Sequence, residues 1–349
     1  MLKGLYKIWF MMLMMLGSMV VLHATSWFNA WVGLELNMLS FLPLMIRGGE
    51  SLGAEAGLKY FLIQAVASLI MLVSVLVEQF LWEGGEESLD MIEMNEPIMM
   101  WGVGLTLAMK LGMAPVHFWF PSIAENLTWN NLAILLTWQK MAPLKLMGDL
   151  EWGKSSWGLN GLIIISLCVG GIGGILQTSL TSIMAYSSIT HMGWMGGGMK
   201  LNGEFWMVYL MIYSLLSLTI IWVFYREGCY KLSHLWLKSS LNPLVKLSLF
   251  MMVLSLGGLP PFLGFYPKWI VITGLLLVQE KGLSLMMVLI TLVTLYYYFR
   301  MAFVIYMHMS SSVTMEKERP EREPMGWMGG GFLVGLNFCG LGLGLMMVV

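Results

Sequence analysis

Charge is scarce in this chain. Of its 349 residues, 19 are Lys or Arg and 20 are Asp or Glu, 11% in all. A soluble domain carries about 25%, so less than half of the usual solvating surface is available and a soluble fold is not expected. Neither sign dominates: the formal net charge is −1, which offers nucleic acid no electrostatic footing. Cysteine is scarcer still. Cys168, Cys229 and Cys339 lie far apart with no CxxC pair, which argues against a disulfide framework, a zinc site or a cysteine-held iron–sulfur cluster. The sequence has no phosphate-binding loop, no dinucleotide fingerprint, no histidine pair at haem spacing and no metal-ligand cluster. No metal and no cofactor is therefore expected in this chain, and whatever drives it must come from elsewhere.

Long apolar runs are what it has in excess. Hydrophobic residues make up 58% and the mean hydropathy is +0.76. A helix needs about 20 apolar residues to cross roughly 30 Å of hydrocarbon. By that measure the chain holds eleven candidate spans, near 5–22, 27–46, 57–79, 98–120, 128–147, 159–178, 181–199, 204–225, 243–277, 284–308 and 327–348. The expected fold class is all-α: a polytopic transmembrane helix bundle, read as one unit because the spans pack on each other. The first run is too long for a signal-peptide core and lacks a small-residue cleavage site, so it reads as a retained helix. The 35 methionines fit either a genetic code with an extra Met codon, hence synthesis inside an organelle, or simply a Met-rich core.

Three polar stretches interrupt the pattern and read as solvated loops: 83–96, which is acidic; 226–240; and 316–323. Basic residues outside the spans fall unevenly. Lys3, Lys7, Arg47, Arg226, Lys231, Lys238, Lys317, Arg319 and Arg322 lie on the side of the N-terminus, against Lys154, Lys200 and Lys281 on the other. By the positive-inside rule the N-terminus faces the matrix or cytoplasm, and eleven spans put the C-terminus across the membrane.

Two spans carry helix-breaking sequence: Lys110-Leu111-Gly112-Met113-Ala114-Pro115, and Gly257-Gly258-Leu259-Pro260-Pro261. Proline removes an amide donor, and at membrane depth the freed carbonyls need protein or water partners. Interrupted helices in separate halves of a chain point to an ion path. Ionisable residues sit inside apolar spans: Glu35, Lys59, Lys110, Lys140 and Lys268. Each costs about 2.5–3.5 kcal/mol at mid-membrane, so each must be paired, watered or neutral. Burial disfavours an ammonium ion, while a carboxylate 4 Å away favours it by about 4 kcal/mol at an effective dielectric of about 20. A Glu–Lys pair that opens and closes can therefore load and unload a proton, which arginine cannot do. Lys59 begins its span and reads equally as an interfacial, snorkelling residue, as does Arg300 near a span end. His117 and His191 are weaker relay candidates, since membrane histidines often only bridge helices. The Gly170 and Gly174 pair reads as close helix packing.

The segments Trp31-Val32-Gly33-Leu34-Glu35, Lys59 to Ala65, Lys110 to Pro121, Thr137-Trp138-Gln139-Lys140-Met141-Ala142-Pro143, Ala185 to Trp194 and Ser255 to Trp269 resemble the antiporter-like membrane-arm subunits of NADH:ubiquinone oxidoreductase, respiratory complex I. The resemblance covers about residues 27–275. It implies inverted repeats, near 5–147 and 159–308, two discontinuous helices and a C-terminal helix near 327–348. It implies that Glu35 pairs with Lys110, that Lys140 is a central relay and that Lys268 lies on the exit side. NADH, flavin, iron–sulfur clusters and ubiquinone would belong to partner subunits of the mitochondrial inner membrane. Expected partners are other membrane-arm and supernumerary subunits and lipids such as cardiolipin. One departure is Ser122, where relatives tend to have an acidic residue; Glu125 follows three positions later. A stand-alone cation/proton antiporter and a purely structural subunit are the rival readings.

Overall fold

The computed structural model describes residues 2–46, 51–81, 97–150, 157–201, 204–237 and 243–311. All regular structure among them is helical, with one isolated bridge between Ser179 and Lys231. The expected C-terminal helix at 327–348 and the polar stretches 83–96 and 316–323 lie outside the described residues. The chain divides near residue 162 into two compact units.

The first unit holds α1 (Leu2–Leu22), α2 (Trp27–Met45), α3 (Ser51–Leu81), α4 (Pro97–Leu111), α5 (Trp119–Asn126), α6 (Trp129–Leu136) and α7 (Trp138–Asp149). Ser26 caps α2, its hydroxyl accepting from the Asn29 amide at 3.4 Å. The α1–α2 crossing is set by glycine. A Cβ on Gly17 would lie 2.9 Å from the Asn37 nitrogen, and one on Gly33 2.9 Å from the Gly17 oxygen, so only hydrogen at both positions lets the backbones meet. Helix α3 shows how the bundle meets its surroundings. Ala56, Tyr60, Gln64, Ala67 and Met71 are buried at helical spacing, while Leu58, Leu62, Leu69 and Val73 stand exposed on the opposite face. A continuous aliphatic stripe of this kind is a lipid face, not a water face.

The second unit holds most of α8 (Trp157–Ile175), then α9 (Leu180–Met199), α10 (Phe205–Glu227), α11 (Leu232–Leu237), α12 (Pro243–Gly257), α13 (Phe265–Leu277) and α14 (Lys281–Ser311). The expectation for Gly170 and Gly174 holds here. A Cβ on Gly170 would meet the Thr190 backbone at 2.8 Å, and one on Gly174 the Tyr297 ring at 2.9 Å, so α8 lies close against α9 and α14. Residues 226–237, expected as loop, include the helix α11. Its start is pinned by Leu180 N donating to Tyr230 O at 2.8 Å and Leu232 N to Thr178 O at 3.0 Å.

Among the described residues, four helical stretches are long and apolar enough to cross a membrane: Ser51–Val77, Trp157–Ile175, Phe205–Glu227 and Lys281–Met307. Shorter apolar helices accompany them, Val245–Gly257 and Phe265–Leu277 among them. The protein is an integral membrane helix bundle.

Candidate functional site: buried lysines beside interrupted helices

Helix α4 ends at Leu111 and α5 begins at Trp119. Gly112 makes the ending possible: its φ of 73° lies in the left-handed region that a side chain disfavours. The Gly112 amide donates to Met109 O at 3.1 Å and the Met113 amide to Ala108 O at 2.9 Å, a Schellman ending. Side chains satisfy further carbonyls there. Trp119 Nε1 donates to Met109 O at 3.1 Å and Gln64 Nε2 to Lys110 O at 3.2 Å.

Lys110 sits in the last turn of α4, where the helix dipole favours a cation. It is buried, and Glu35 of α2, half-buried, acts on it electrostatically. No salt bridge within 4 Å closes between the two in the described structure. Glu35 also acts on Tyr60 of α3. The Tyr60 hydroxyl donates to Gln139 Oε1 at 3.3 Å, and Gln139 Nε2 reaches Asn37 Oδ1 at 3.2 Å and Met14 Sδ at 3.3 Å. Next to Gln139, Lys140 is 1% exposed, its ammonium 5.8 Å from the Phe120 ring centre. The span expected at 128–147 is divided at Thr137 into α6 and α7; Thr137 Oγ1 donates to Ala133 O at 2.8 Å, so Lys140 lies in the first turn of a new helix.

The remaining two candidates of this unit stand apart. Lys59 forms an exposed pair with Glu55 one turn earlier, at 2.6 Å, with 43% and 54% of the side chains exposed. His117 lies between α4 and α5, its Nδ1 donating to Pro115 O at 3.1 Å, its ring 4.2 Å from Phe118.

In the second unit α12 ends at Gly257 and α13 begins at Phe265. The ending repeats the first: Gly258 has φ 79°, its amide donates to Ser255 O at 2.9 Å, and the Leu259 amide to Leu254 O at 3.5 Å. Lys268, in the first turn of α13 and buried, donates through Nζ to Gly257 O at 2.9 Å and stands 5.7 Å from the Trp194 ring centre. His191 of α9 is held between tyrosines: Nδ1 and the Tyr209 hydroxyl are 2.9 Å apart, Nε2 and the Tyr298 hydroxyl 3.5 Å, and the Tyr213 ring lies 4.8 Å away. A cavity of about 10 Å³, lined by His191, Tyr209, Tyr213, Gly264 and Pro267 among others, has room for about one water.

Several residues of these arrangements were not singled out in the sequence. Gln64, Gln139 and Asn37 are uncharged, and only their position inside apolar spans marked them. Lys246 is a plain omission: it lies within the 243–277 run and is 1% exposed on α12. Arg300 is anchored to the end of α8, where Nη1 and Nη2 donate to Ile175 O at 2.7 Å and Gln177 O at 2.6 Å. The described residues include no His, Cys, Asp and Glu grouping able to hold a metal.

Comparison with known proteins gives the chain a family and a fold. NADH-ubiquinone oxidoreductase chain 2 of Anopheles gambiae is 41% identical over 299 residues, 85% of each chain, and that of Aedes aegypti 41% identical over 304 residues, again 85% of each. A chain of Thermus thermophilus respiratory complex I with bound aureothin superposes with a TM-score of 0.82 at 24% identity, over 99% of this chain and 79% of that one. A chain of the Mrp complex from Dietzia sp. DQ12-45-1b gives 0.75 at 18%, over 92% and 63%; at these identities the likeness is one of fold. Residues 24–295 match the profile of the transmembrane NADH:quinone oxidoreductase/Mrp antiporter family, and with relatives of this identity over most of its length the chain belongs to that family.

Proposed function

We propose that this chain is a core membrane subunit of respiratory complex I, which couples electron transfer from NADH to ubiquinone in partner subunits to proton translocation through buried Glu35, Lys110, Lys140 and Lys268. The enzyme is the proton-translocating NADH:ubiquinone reductase; this chain contributes translocation, not redox chemistry. The observation that carries the assignment of residues is the burial of Lys110 and Lys268 at two helix endings of the same construction and of Lys140 at the start of α7, with Glu35 acting on Lys110. NADH, flavin, iron–sulfur clusters and ubiquinone belong to the partners in this reading.

The finer architecture is part of the proposal. Helices α4 with α5, and α12 with α13, are each the halves of a discontinuous membrane helix, and the two belong to inverted repeats near 5–147 and 159–308. The bundle sits in the mitochondrial inner membrane with eleven spans, its N-terminus on the matrix side and its C-terminus facing the intermembrane space. Other membrane-arm and supernumerary subunits, with cardiolipin, surround it. Opening and closing of the Glu35–Lys110 pair shifts proton affinity at Lys110; Lys140 and Lys268 pass the proton on, with His117 and His191 as lesser relays.

Two measurements test this. Native electrophoresis of mildly solubilised membranes places the polypeptide in a very large NADH-oxidising assembly. Migration alone or as a small oligomer would favour an independent antiporter, the reading the Mrp likeness keeps open. Within the assembly, Lys140→Met leaves the complex intact and lowers the protons pumped per electron. Normal pumping in that variant removes Lys140 from the mechanism.

A further inference from the structure

The two helix endings match bond for bond along the backbone, yet the side chains that complete them differ. At α4 the donors are neutral: the Gln64 amide to Lys110 O and the Trp119 indole to Met109 O. The Lys110 ammonium makes no hydrogen bond to that ending among the described residues and is left under the influence of Glu35. At α12 the donor is the lysine itself, Lys268 Nζ to Gly257 O. A Cβ on Gly258 would lie 2.8 Å from that same nitrogen, so the glycine both takes the left-handed turn and makes room for the ammonium. Because a charge-assisted hydrogen bond is about twice as strong as a neutral one, and a helix C-terminus favours a cation, this ending is tightest while Lys268 carries its proton.

We infer that Gln64 and Trp119 are positioning residues that hold the first helix ending independently of Lys110, whereas Lys268 is itself the cap of the second. Resting on the proton-translocation reading above, this makes the two interruptions unequal. Lys110 gives up or takes a proton without loosening its backbone. Lys268 loosens the 258–265 segment when its proton leaves, because the neutral amine donates more weakly to Gly257 O, and tightens it when the proton returns. Proton transfer at the second interruption is thereby tied to a backbone change that the first lacks.

Hydrogen–deuterium exchange on the intact complex tests this without reading proton transport. Lysine-to-methionine changes remove the donor and keep the apolar stem. Lys268→Met raises exchange of the 258–265 amides by about tenfold, while Lys110→Met leaves the 111–120 amides within about twofold of the parent. Gln64→Met raises exchange at 111–120, with Trp119→Phe taking its place should Gln64→Met not assemble. Lys268→Arg keeps a permanent donor, so its 258–265 segment stays protected although the residue no longer delivers a proton. Equal responses of the two segments to their own lysine, or an unchanged 258–265 segment in Lys268→Met, overturn the inference. Should Lys268→Met fail to assemble, assembly of Lys268→Arg with a protected segment supports the cap, and failure of both counts against it. Normal pumping in Lys140→Met would instead sink the translocation role while leaving these exchange results standing.

Discussion

Gln139 is where the positioning of Lys140 can be put to a quantitative test. Its side chain donates to Asn37 Oδ1 at 3.2 Å and accepts from the Tyr60 hydroxyl at 3.3 Å, with Met14 Sδ as a third, weaker contact. All of these groups are buried. Methionine at 139 has nearly the same shape, so Gln139→Met opens no cavity but strips two oxygen-based interhelical bonds. Such bonds in membrane bundles are worth about 0.6 kcal/mol on average and at most about 1.7, while an orphaned buried polar group costs about 1–3 kcal/mol. A loss of about 2 kcal/mol follows, and since about 1.4 kcal/mol is tenfold, the amides of residues 138–142 exchange roughly thirtyfold faster. Tyr60→Phe, which removes one of the two bonds, costs about 1 kcal/mol, or roughly fivefold. The double variant is the decisive arm. Once Gln139 is gone the Tyr60 hydroxyl has no partner to lose, so the two effects fall short of additivity by about 1 kcal/mol. Full additivity, or exchange within about twofold of the parent in Gln139→Met, would refute the network as the element that fixes the start of α7.

Two further predictions follow from packing and capping. Gly33→Val places a branched side chain where a Cβ already meets the Gly17 oxygen at 2.9 Å and the Val21 side chain at 2.7 Å; α1 is pushed off α2, and the content of assembled complex falls by about tenfold or more, since overpacking costs about 1–3 kcal/mol. Gly33→Ala is milder, and normal assembly of the valine variant would show that the crossing can relax. Arg300→Lys retains the charge but not the fork that reaches both Ile175 O and Gln177 O; one carbonyl loses its donor, at a cost of about 1–2 kcal/mol, read as faster exchange at residues 178–180. Parent-like exchange in Arg300→Lys would mean that one donor suffices.

The all-helical membrane class was legible because lipid imposes a strong and simple constraint: apolar runs of span length, with helices the only internally satisfied backbone available to them. The helix endings at Gly112 and Gly258 were legible as proline- and glycine-rich interruptions, since few other residues accept a positive φ. Their completion was not. Gln64 lies 46 positions before Lys110, the partner whose carbonyl it meets, and no local pattern announces a contact so far along the chain. The tyrosines around His191 come from α10 and α14 and escaped for the same reason. Thr137 divides a run that hydropathy reads as continuous, because a break made by one threonine changes no apolar count. Lys59 shows the opposite limit: its charge inside a run drew notice, but Glu55 one turn earlier was the local sign of a surface pair.

The buried lysines also show why composition alone cannot say what a membrane charge does. Lys110 faces a carboxylate it does not touch, Lys140 stands by the face of Phe120, and Lys268 closes a helix end. The same side chain thus meets a counter-charge, a ring quadrupole and a backbone carbonyl, three interactions that differ in how steeply they depend on the ammonium's charge. Attraction to Glu35 and to an aromatic face vanishes when the charge goes, whereas a hydrogen bond to Gly257 O is weakened but survives as a neutral one. In the proposed path a proton moving along such a series leaves environments of different kinds behind it, and the structural response at each is set by what remains. At Lys268 the side chain itself donates the hydrogen bond that closes a helix end, so under the proposed translocation role a proton leaving Lys268 acts directly on the backbone at the end of α12.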